Sequence, residues 1–115
     1  PLCVAEDEIM GFAHPLVGGL LLKAWKFPEV LVSLVACHHN PAGCRGNVEA
    51  AILHVADIMA VALGIAPPAS AVVPILDVPA FEALGIAPER LLELADEGLS
   101  QIDEIVNSFF PVRKK

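Results

Sequence analysis

Proline and glycine residues divide this sequence into short apolar segments, and they stand at positions typical of helix ends. Pro15 and Pro28 each lie at the beginning of such a segment, where proline is favoured in the first turn of a helix. The sequence LGIAP occurs twice, at residues 63–67 and 84–88. In each copy the glycine suits the left-handed residue that follows a helix, and the proline prevents the helix from continuing. Because the chain also lacks Tyr, Thr and any long alternating apolar–polar run, the pattern predicts an all-α fold.

We expect a compact helical bundle of about five helices. The predicted helices run from the start of the chain to Met10, from His14 to Trp25, from Phe27 to His39, from Asn47 to Leu63 and from Pro88 to Phe109, with a helical turn over residues 79–84. Gly18 and Gly19 weaken the second helix, so we expect them to permit close packing there. The 115 residues fit a single domain over residues 1–115. Since the chain begins without Met, we expect it to be processed or to be a fragment.

The composition excludes several classes of function. Apolar residues make up 56% of the chain and charged residues 18%, so the chain can bury a core and global disorder is excluded. Fourteen acidic residues against seven basic ones give a net charge of −7, which disfavours binding to nucleic acid or to an anionic membrane. The surplus of apolar residues predicts protein partners or self-association through an apolar helix surface. The longest apolar stretch, residues 58–76, contains three prolines and is not expected to span a membrane.

The three cysteines, Cys3, Cys37 and Cys44, are an odd number and form no CxxC motif. No signal peptide is visible at the start of the chain. We therefore expect free thiols, no disulfide framework and a cytoplasmic location. A structural zinc site that joins Cys37 and Cys44 to His38 and His39 is an alternative, but the spacing is not that of a standard zinc knuckle.

The last two long helices differ in character. The fourth is apolar on nearly every side, which predicts a central, buried helix, and its polar residues His54 and Asp57 lie three positions apart on one face. These two side chains must therefore be hydrogen-bonded, paired or bound to a ligand. The last helix carries one apolar stripe, which we expect to pack on its own domain core rather than to form a coiled-coil seam. The stripe consists of Leu92, Ala95, Leu99, Ile102, Val106 and Phe109.

The histidines allow two interpretations. His14 opens the second predicted helix, and His38 and His39 close the third, so imidazoles from separate elements are available for a divalent metal ion. Adjacent residues of a helix point about 100° apart, so we expect His38 and His39 not to hold one ion side by side. The alternative is that these histidines stand at helix ends only because such positions favour them. In that case His54 and Asp57 form a buried pair whose hydrogen bonds are satisfied.

Four segments and Trp25 carry a resemblance to a known family when their order and spacing are taken together. The segments are His14–Gly19, Phe27–Glu29, His38–Pro41 and His54–Asp57. They resemble the C-terminal part of an HDOD domain, the signalling relative of the HD metal-dependent phosphohydrolases, and are similar to the matching part of HD-GYP phosphodiesterases. The similarity covers roughly residues 6–64 and implies an all-α, HD-domain-like fold. It also implies that the chain is the C-terminal part of a larger domain in a bacterial signalling protein.

The resemblance also implies a set of site residues. His14, His38, His39 and Asp57 match positions that ligate metal in the catalytic relatives, so Fe, Mn or Zn is the expected cofactor. His54 is a secondary candidate beside Asp57. Arg45, in the loop after the paired histidines, is another secondary candidate that could face a phosphate, although a solvated loop arginine is favoured.

Two motifs of the hydrolases are missing from the sequence. No histidine is followed by aspartate, and the absence of Tyr excludes a Gly-Tyr-Pro motif. We therefore assign no catalytic residue and expect a non-catalytic signalling module that binds protein partners and keeps a remnant metal or ligand pocket. The alternative is an HD-type metal-dependent phosphohydrolase that is completed by residues outside this chain.

Overall fold

The computed structural model describes residues 2–44, 47–65 and 72–109, which form helices and connecting turns and contain no strand. The prediction of an all-α fold is therefore confirmed. The helices are α1 (Leu2–Met10), α2 (His14–Ala24), α3 (Glu29–Cys37), a 3-10 helix (Pro41–Cys44), α4 (Val48–Ala62), α5 (Val78–Ala83) and α6 (Pro88–Phe109).

All five predicted helices are present, with small differences at their ends. The predicted helical turn is α5, and the 3-10 helix lies in a segment that we expected to be a loop. The third helix ends at Cys37, two residues earlier than predicted, and His38 is its C-cap. Asn40 precedes Pro41, and a residue before proline is disfavoured in the helical conformation. His38 and His39 therefore form a turn after α3 instead of continuing the helix. This turn shapes the site described below.

The helix ends follow the predicted local chemistry. The Asn47 side chain caps α4 by accepting a hydrogen bond from the backbone N–H of Glu49. Gly64 and Gly85, in the two LGIAP copies, have φ angles of +71° and +62°. Left-handed backbone of this kind favours glycine, so the prediction that both copies end a helix is confirmed.

Helices α2 and α3 pack closely because α2 presents glycine to its neighbour. A Cβ atom at Gly18 would lie 2.8 Å from Cγ1 of Val35. At Gly19, a Cβ atom would lie 3.2 Å from Cβ of Ala36 and 3.4 Å from the backbone oxygen of Val32. The prediction that these glycines permit close packing is therefore confirmed. The approach brings the first residue of α2 beside the turn that follows α3.

Helix α4 supplies most of the buried side chains, but it is not buried on every side. Its buried residues are Ala50, Ala51, His54 and Val55. Val48 and Ile52, which the sequence pattern also places in the core, are about half exposed. The expectation of a helix that is buried all round is therefore wrong. The closely packed face combines Ala50 and Ala51 with His54 and Val55, while Val48 and Ile52 remain at the surface.

The chain divides into two compact units, Pro1–Gly85 and Ile86–Lys115. The first contains α1 to α5, and the second contains α6 as its described element. Within α6, Arg90 forms ion pairs with Glu93 and Glu97. A single domain over residues 1–115 stays a prediction. Within the described ranges, no helix combines the length and the apolar character needed to cross a membrane.

We expect Gly19→Leu to destabilise the fold, because its side chain must enter the space that Ala36 and the backbone of Val32 occupy. Overpacking of this kind lowers the free energy of unfolding by about 1–3 kcal/mol. Gly98→Leu, in the interior of α6, is the matched control, since among the described residues only the neighbouring helix backbone lies within 4 Å of a Cβ built at Gly98. Urea unfolding followed by circular dichroism measures both variants. Equal stability of the two variants would contradict close α2–α3 packing.

Candidate metal centre

Three imidazole rings from two helix ends meet in one place. Nε2 of His14 lies 3.3 Å from Nε2 of His38 and 3.0 Å from Nε2 of His39. All three potential ligand atoms lie within 4.8 Å of one another. His14 is the first residue of α2, while His38 and His39 form the turn after α3. The sequence-predicted residues His14, His38 and His39 are thus brought together in the structure.

The geometry of the histidine turn differs from the regular helix on which the expectation for His38 and His39 rested, namely that they would not easily hold one ion side by side. That expectation assumed that both residues continue a regular helix, where neighbouring side chains point about 100° apart. In the structure α3 ends at Cys37, so His39 lies beyond the helix and its ring turns toward its neighbour. The two ring centroids are 4.1 Å apart. The early end of α3 therefore makes a shared site geometrically feasible.

The other ring nitrogens of these histidines face hydrogen-bond acceptors. Nδ1 of His14 lies 2.6 Å from Oε2 of Glu6, and Nδ1 of His38 lies 2.6 Å from the backbone oxygen of Val35. Nδ1 of His39 lies 3.7 Å from Oδ2 of Asp57. The acceptors of His14 and His38 lie at hydrogen-bond distance and favour the tautomer with its proton on Nδ1, which leaves the Nε2 lone pair free. Asp57 is too far from His39 for a hydrogen bond and acts on that ring only through its charge. Carboxylates and carbonyls in this position are typical of the residues that orient metal-ligating histidines.

This arrangement fits a divalent cation. With their protons on Nδ1, His14 and His38 each leave a free lone pair on Nε2, close to the Nε2 atom of His39 or His14. Zinc–nitrogen bonds of about 2.0–2.1 Å in a tetrahedron place neighbouring nitrogens about 3.3 Å apart. The observed Nε2 separations of 3.0 and 3.3 Å are close to this spacing. Asp57 approaches the Nδ1 side of His39 and therefore supports a ligand in this geometry.

Glu6 is a site residue that sequence reasoning missed. Its Oε2 accepts hydrogen bonds from both the backbone N–H and Nδ1 of His14, so one carboxylate caps α2 and orients the ring. The pKa of Glu6 is lowered, chiefly by the hydrogen bond from the His14 backbone and then by the one from its ring. Glu6 stands in the acidic run of residues 6–8, and no spacing signal distinguishes it from Asp7 or Glu8.

The environment of His39 favours its neutral form. Burial lowers the pKa of His39, and the neighbouring His38 lowers it further, while Asp57 opposes the shift. A neutral imidazole is the form that binds metal. The electrostatics of the cluster therefore agree with its geometry.

His54 is buried and hydrogen-bonds to the backbone of neighbouring elements. Its side chain is 1% exposed, Nδ1 donates to the backbone oxygen of His38, and Nε2 accepts from the backbone N–H of Asp77. Its hydrogen-bond partners are therefore backbone groups, and it ties α4 to the turn that carries the paired histidines. Arg45, the other secondary candidate, lies outside the described residues.

A cavity of about 230 Å³ lies beside the histidines. Its lining residues are Leu2, Cys3, Glu6, His14, His39, Asp57, Val61, Val72 and Pro74. The polar wall contains two carboxylates, two imidazoles and a thiol, and the rest is apolar. Among these lining residues there is no Lys or Arg.

The cysteines differ from the sequence-based expectation that no disulfide framework is present. Cys37 and Cys44 form a disulfide with Cα atoms 6.1 Å apart, and Cys3 is free. The 3-10 helix turns the chain back toward the end of α3, so two cysteines seven positions apart come into contact. The alternative of a zinc site built from these cysteines is not supported by this arrangement, since the three-histidine group forms without them.

The fold and the site define a class: an all-α protein in which helix ends bring three imidazoles together. Residues 1–41, about a third of the chain, match the family model of the HDOD domain. The predicted resemblance to this family is therefore confirmed over a segment that includes His14, His38 and His39. Its extension to roughly residue 64 stays a prediction. No curated protein and no solved structure matches the chain.

We expect Glu6→Gln to destabilise the protein most above pH 4.5, the ordinary pKa of this carboxyl. The folded protein holds the pKa of Glu6 below that value, so the carboxylate stabilises the fold above pH 4.5. This contribution disappears as the pH falls through the lowered pKa. Urea unfolding of wild type and Glu6→Gln between pH 3 and 7 measures the difference. A difference that does not shrink on acidification, or a matching pH profile for Glu8→Gln, would contradict the assignment.

We expect His54→Leu to lower the free energy of unfolding by about 2–3 kcal/mol, because it leaves the His38 carbonyl and the Asp77 N–H without their buried partner. His54→Gln, which keeps a donor and an acceptor, is expected to be milder. Urea denaturation compares the two variants. Equal stability of both would show that these hydrogen bonds do not hold the turn in place.

Proposed function

We propose that this chain is a non-catalytic, cytoplasmic signalling module of bacterial origin that binds a divalent metal ion at His14, His38 and His39 and recognises protein partners through an apolar helix surface. The convergence of the three Nε2 atoms, together with the Nδ1 hydrogen bonds of His14 and His38, supports this proposal. The HDOD match over residues 1–41 supports the signalling role, since that family is the signalling relative of the HD superfamily.

The donor set narrows the choice of metal. Three neutral imidazoles suit Zn or Fe better than the harder Mg or Ca ions, and the nearby carboxylates keep Mn among the candidates. A bound ion would supply Lewis acidity. His14, His38 and His39 would hold it, Glu6 and Asp57 would orient two of these rings, and α2 would be tied to the turn after α3. Asp57, predicted as a ligand from the resemblance, supports His39 from its Nδ1 side in this proposal.

The charge of the cavity favours a regulatory role over phosphoester hydrolysis. Hydrolysis requires positive groups that stabilise the phosphate as charge develops on it. The described lining instead carries the carboxylates of Glu6 and Asp57 and lacks Lys and Arg. The missing His-Asp doublet supports the same conclusion. A hydrolase completed by residues outside this chain remains the alternative, and turnover is its test.

The exposed side of α2 supports the proposed role in protein binding. Leu16 and Leu20 are 55% and 59% exposed, and Val17 and Leu21 are also exposed. Residues four positions apart lie on the same face of a helix, so these four side chains form two adjacent apolar rows. An exposed apolar surface of this kind is typical of an interaction site.

We expect purified protein to bind one zinc ion per chain at neutral pH, and His38→Ala to abolish this binding. Removal of one of three ligands leaves an incomplete site. Asn40→Ala, a change at an exposed neighbour in the same turn, is the matched control and should bind like wild type. Isothermal titration and elemental analysis provide the measurement. Undiminished zinc binding by His38→Ala would contradict the proposed centre.

The same metal-loaded samples distinguish the module from the enzyme. We expect no turnover of model phosphodiesters with Zn, Mn or Fe. Phosphodiesterase activity that is present in wild type and Asn40→Ala and lost in His38→Ala would overturn the non-catalytic assignment.

We expect the apolar rows of α2 to cause concentration-dependent self-association, which Leu20→Glu removes by placing a charge on them. Ile9→Glu, on the exposed surface of α1 and outside the apolar stripe of α6, is the matched control. Sedimentation velocity measures the association. If Ile102→Glu rather than Leu20→Glu produces monomers, the coiled-coil alternative for α6 is correct and the α2 surface is not the interface.

A further inference from the structure

The disulfide between Cys37 and Cys44 encloses the paired histidines. Cys37 is the last residue of α3, and Cys44 is the last residue of the 3-10 helix. His38 and His39 therefore lie inside the ring of chain that this bond closes. The bond joins the two elements on either side of the turn that presents both imidazoles to His14.

We propose that Cys37 and Cys44 form a reversible redox clamp that fixes the histidine turn when oxidised and loosens it when a cellular dithiol reductant opens the bond. The inference rests on the proposed function in one respect, the cytoplasmic location. Disulfides in that compartment are generally transient and serve catalysis or redox sensing rather than permanent structure.

The bond is accessible to a reductant. Both cysteines are partly exposed. They line one open surface depression together with Ser33, Ala36, Gly43 and Asn47. A thiolate must approach a disulfide sulfur directly for exchange to occur. The depression provides room for that approach. It shares no lining residue with the cavity beside His14 and His39.

The structure also contains a partner for the reduced state. Sγ of Cys44 lies 3.5 Å from the backbone oxygen of Ser33. Once the bond is open, the Cys44 thiol can donate a hydrogen bond to this oxygen, which a disulfide sulfur cannot do. The reduced protein thus retains a contact between the 3-10 helix and α3, so reduction is expected to loosen the turn without unfolding the domain.

The two histidines depend on the clamp to different degrees. His38 is held independently, because its ring donates to Val35 and its backbone oxygen accepts from His54. The His39 ring lacks such an anchor to the backbone among its described contacts, which are with the rings of His14 and His38 and with Asp57 at 3.7 Å. Opening the bond should therefore release His39 more than His38. Loss of one well-oriented ligand weakens metal binding, and changes in groups that orient ligands typically cost 10–100-fold in affinity.

The chemistry is a balanced thiol–disulfide exchange. One thiolate of the reductant attacks a sulfur of the Cys37–Cys44 bond and forms a mixed disulfide, and the departing cysteine takes up a proton. The second thiolate of the reductant then attacks the mixed disulfide and releases the other cysteine, which is also protonated. The protein gains two electrons and two protons, and the dithiol becomes a disulfide.

The test uses the full chain with Cys3→Ser, so that Cys37 and Cys44 are its only thiols. After mild oxidation we expect no titratable thiol, and after treatment with a dithiol and anaerobic desalting we expect two. Imidazole resonances of the metal-free protein, assigned with His38→Gln and His39→Gln, should then show a larger shift for His39 than for His38. Cys3→Ser/Cys37→Ser/Cys44→Ser is the matched control and should give the reduced-state spectrum under both conditions.

Cobalt affinity provides the second readout. We expect the oxidised Cys3→Ser protein to bind Co²⁺ about tenfold more tightly than its reduced form or the thiol-free control. Failure of Cys37 and Cys44 to form the bond, or His39 resonances that do not respond to reduction, would overturn the clamp. A thiolate-to-cobalt absorption band in the reduced protein would also overturn it, because the cysteines would then be ligands. If neither form binds cobalt but His39 still responds, the metal proposal fails and the clamp stands.

Discussion

The close approach of α2 to α3 is the constraint on which the site depends. A Cβ atom would lie 2.8 Å from Val35 Cγ1 at Gly18 and 3.2 Å from Ala36 Cβ at Gly19, so α3 leaves little room for a side chain at either position. This approach sets the first residue of α2 against the turn that follows α3. Without this close approach, His14 would not reach the paired histidines, and the three imidazoles would not form one site.

The second constraint is the early end of α3. Continuation of the helix through His39 would turn its ring away from that of His38. The helix instead ends at Cys37 before the Asn40–Pro41 step, and the bond between Cys37 and Cys44 and the buried imidazole of His54 hold the resulting turn. The same few residues therefore end a helix, shape a turn and position two candidate ligands.

Much of this fold could be predicted from the sequence, because helix ends are determined locally. The proline and glycine positions predicted all five long segments, and the LGIAP copies end their helices as expected. The meeting of His14 with His38 and His39 was harder to predict from the sequence. Their spacing was equally consistent with separate histidines at helix ends. The resemblance to the HDOD family favoured the shared site, and the family match covers all three histidines.

The features that could not be predicted depend on contacts between elements. Glu6 is one of three acidic residues in a row, and its role arises from the position of α1 beside the start of α2. The pairing of Cys37 with Cys44 depends on the 3-10 helix, which has no strong sequence signal. His54 and Asp57 share a helix face as expected, yet one contacts backbone groups and the other approaches His39.

The central claim is that three imidazole nitrogens from two helix ends bind one ion. X-ray absorption spectroscopy of the zinc-loaded protein tests it directly. We expect a first shell of nitrogen and oxygen at about 2.0–2.1 Å, with the multiple scattering of three imidazoles. A shell dominated by sulfur at about 2.3 Å, or one that lacks imidazole scattering, would contradict it.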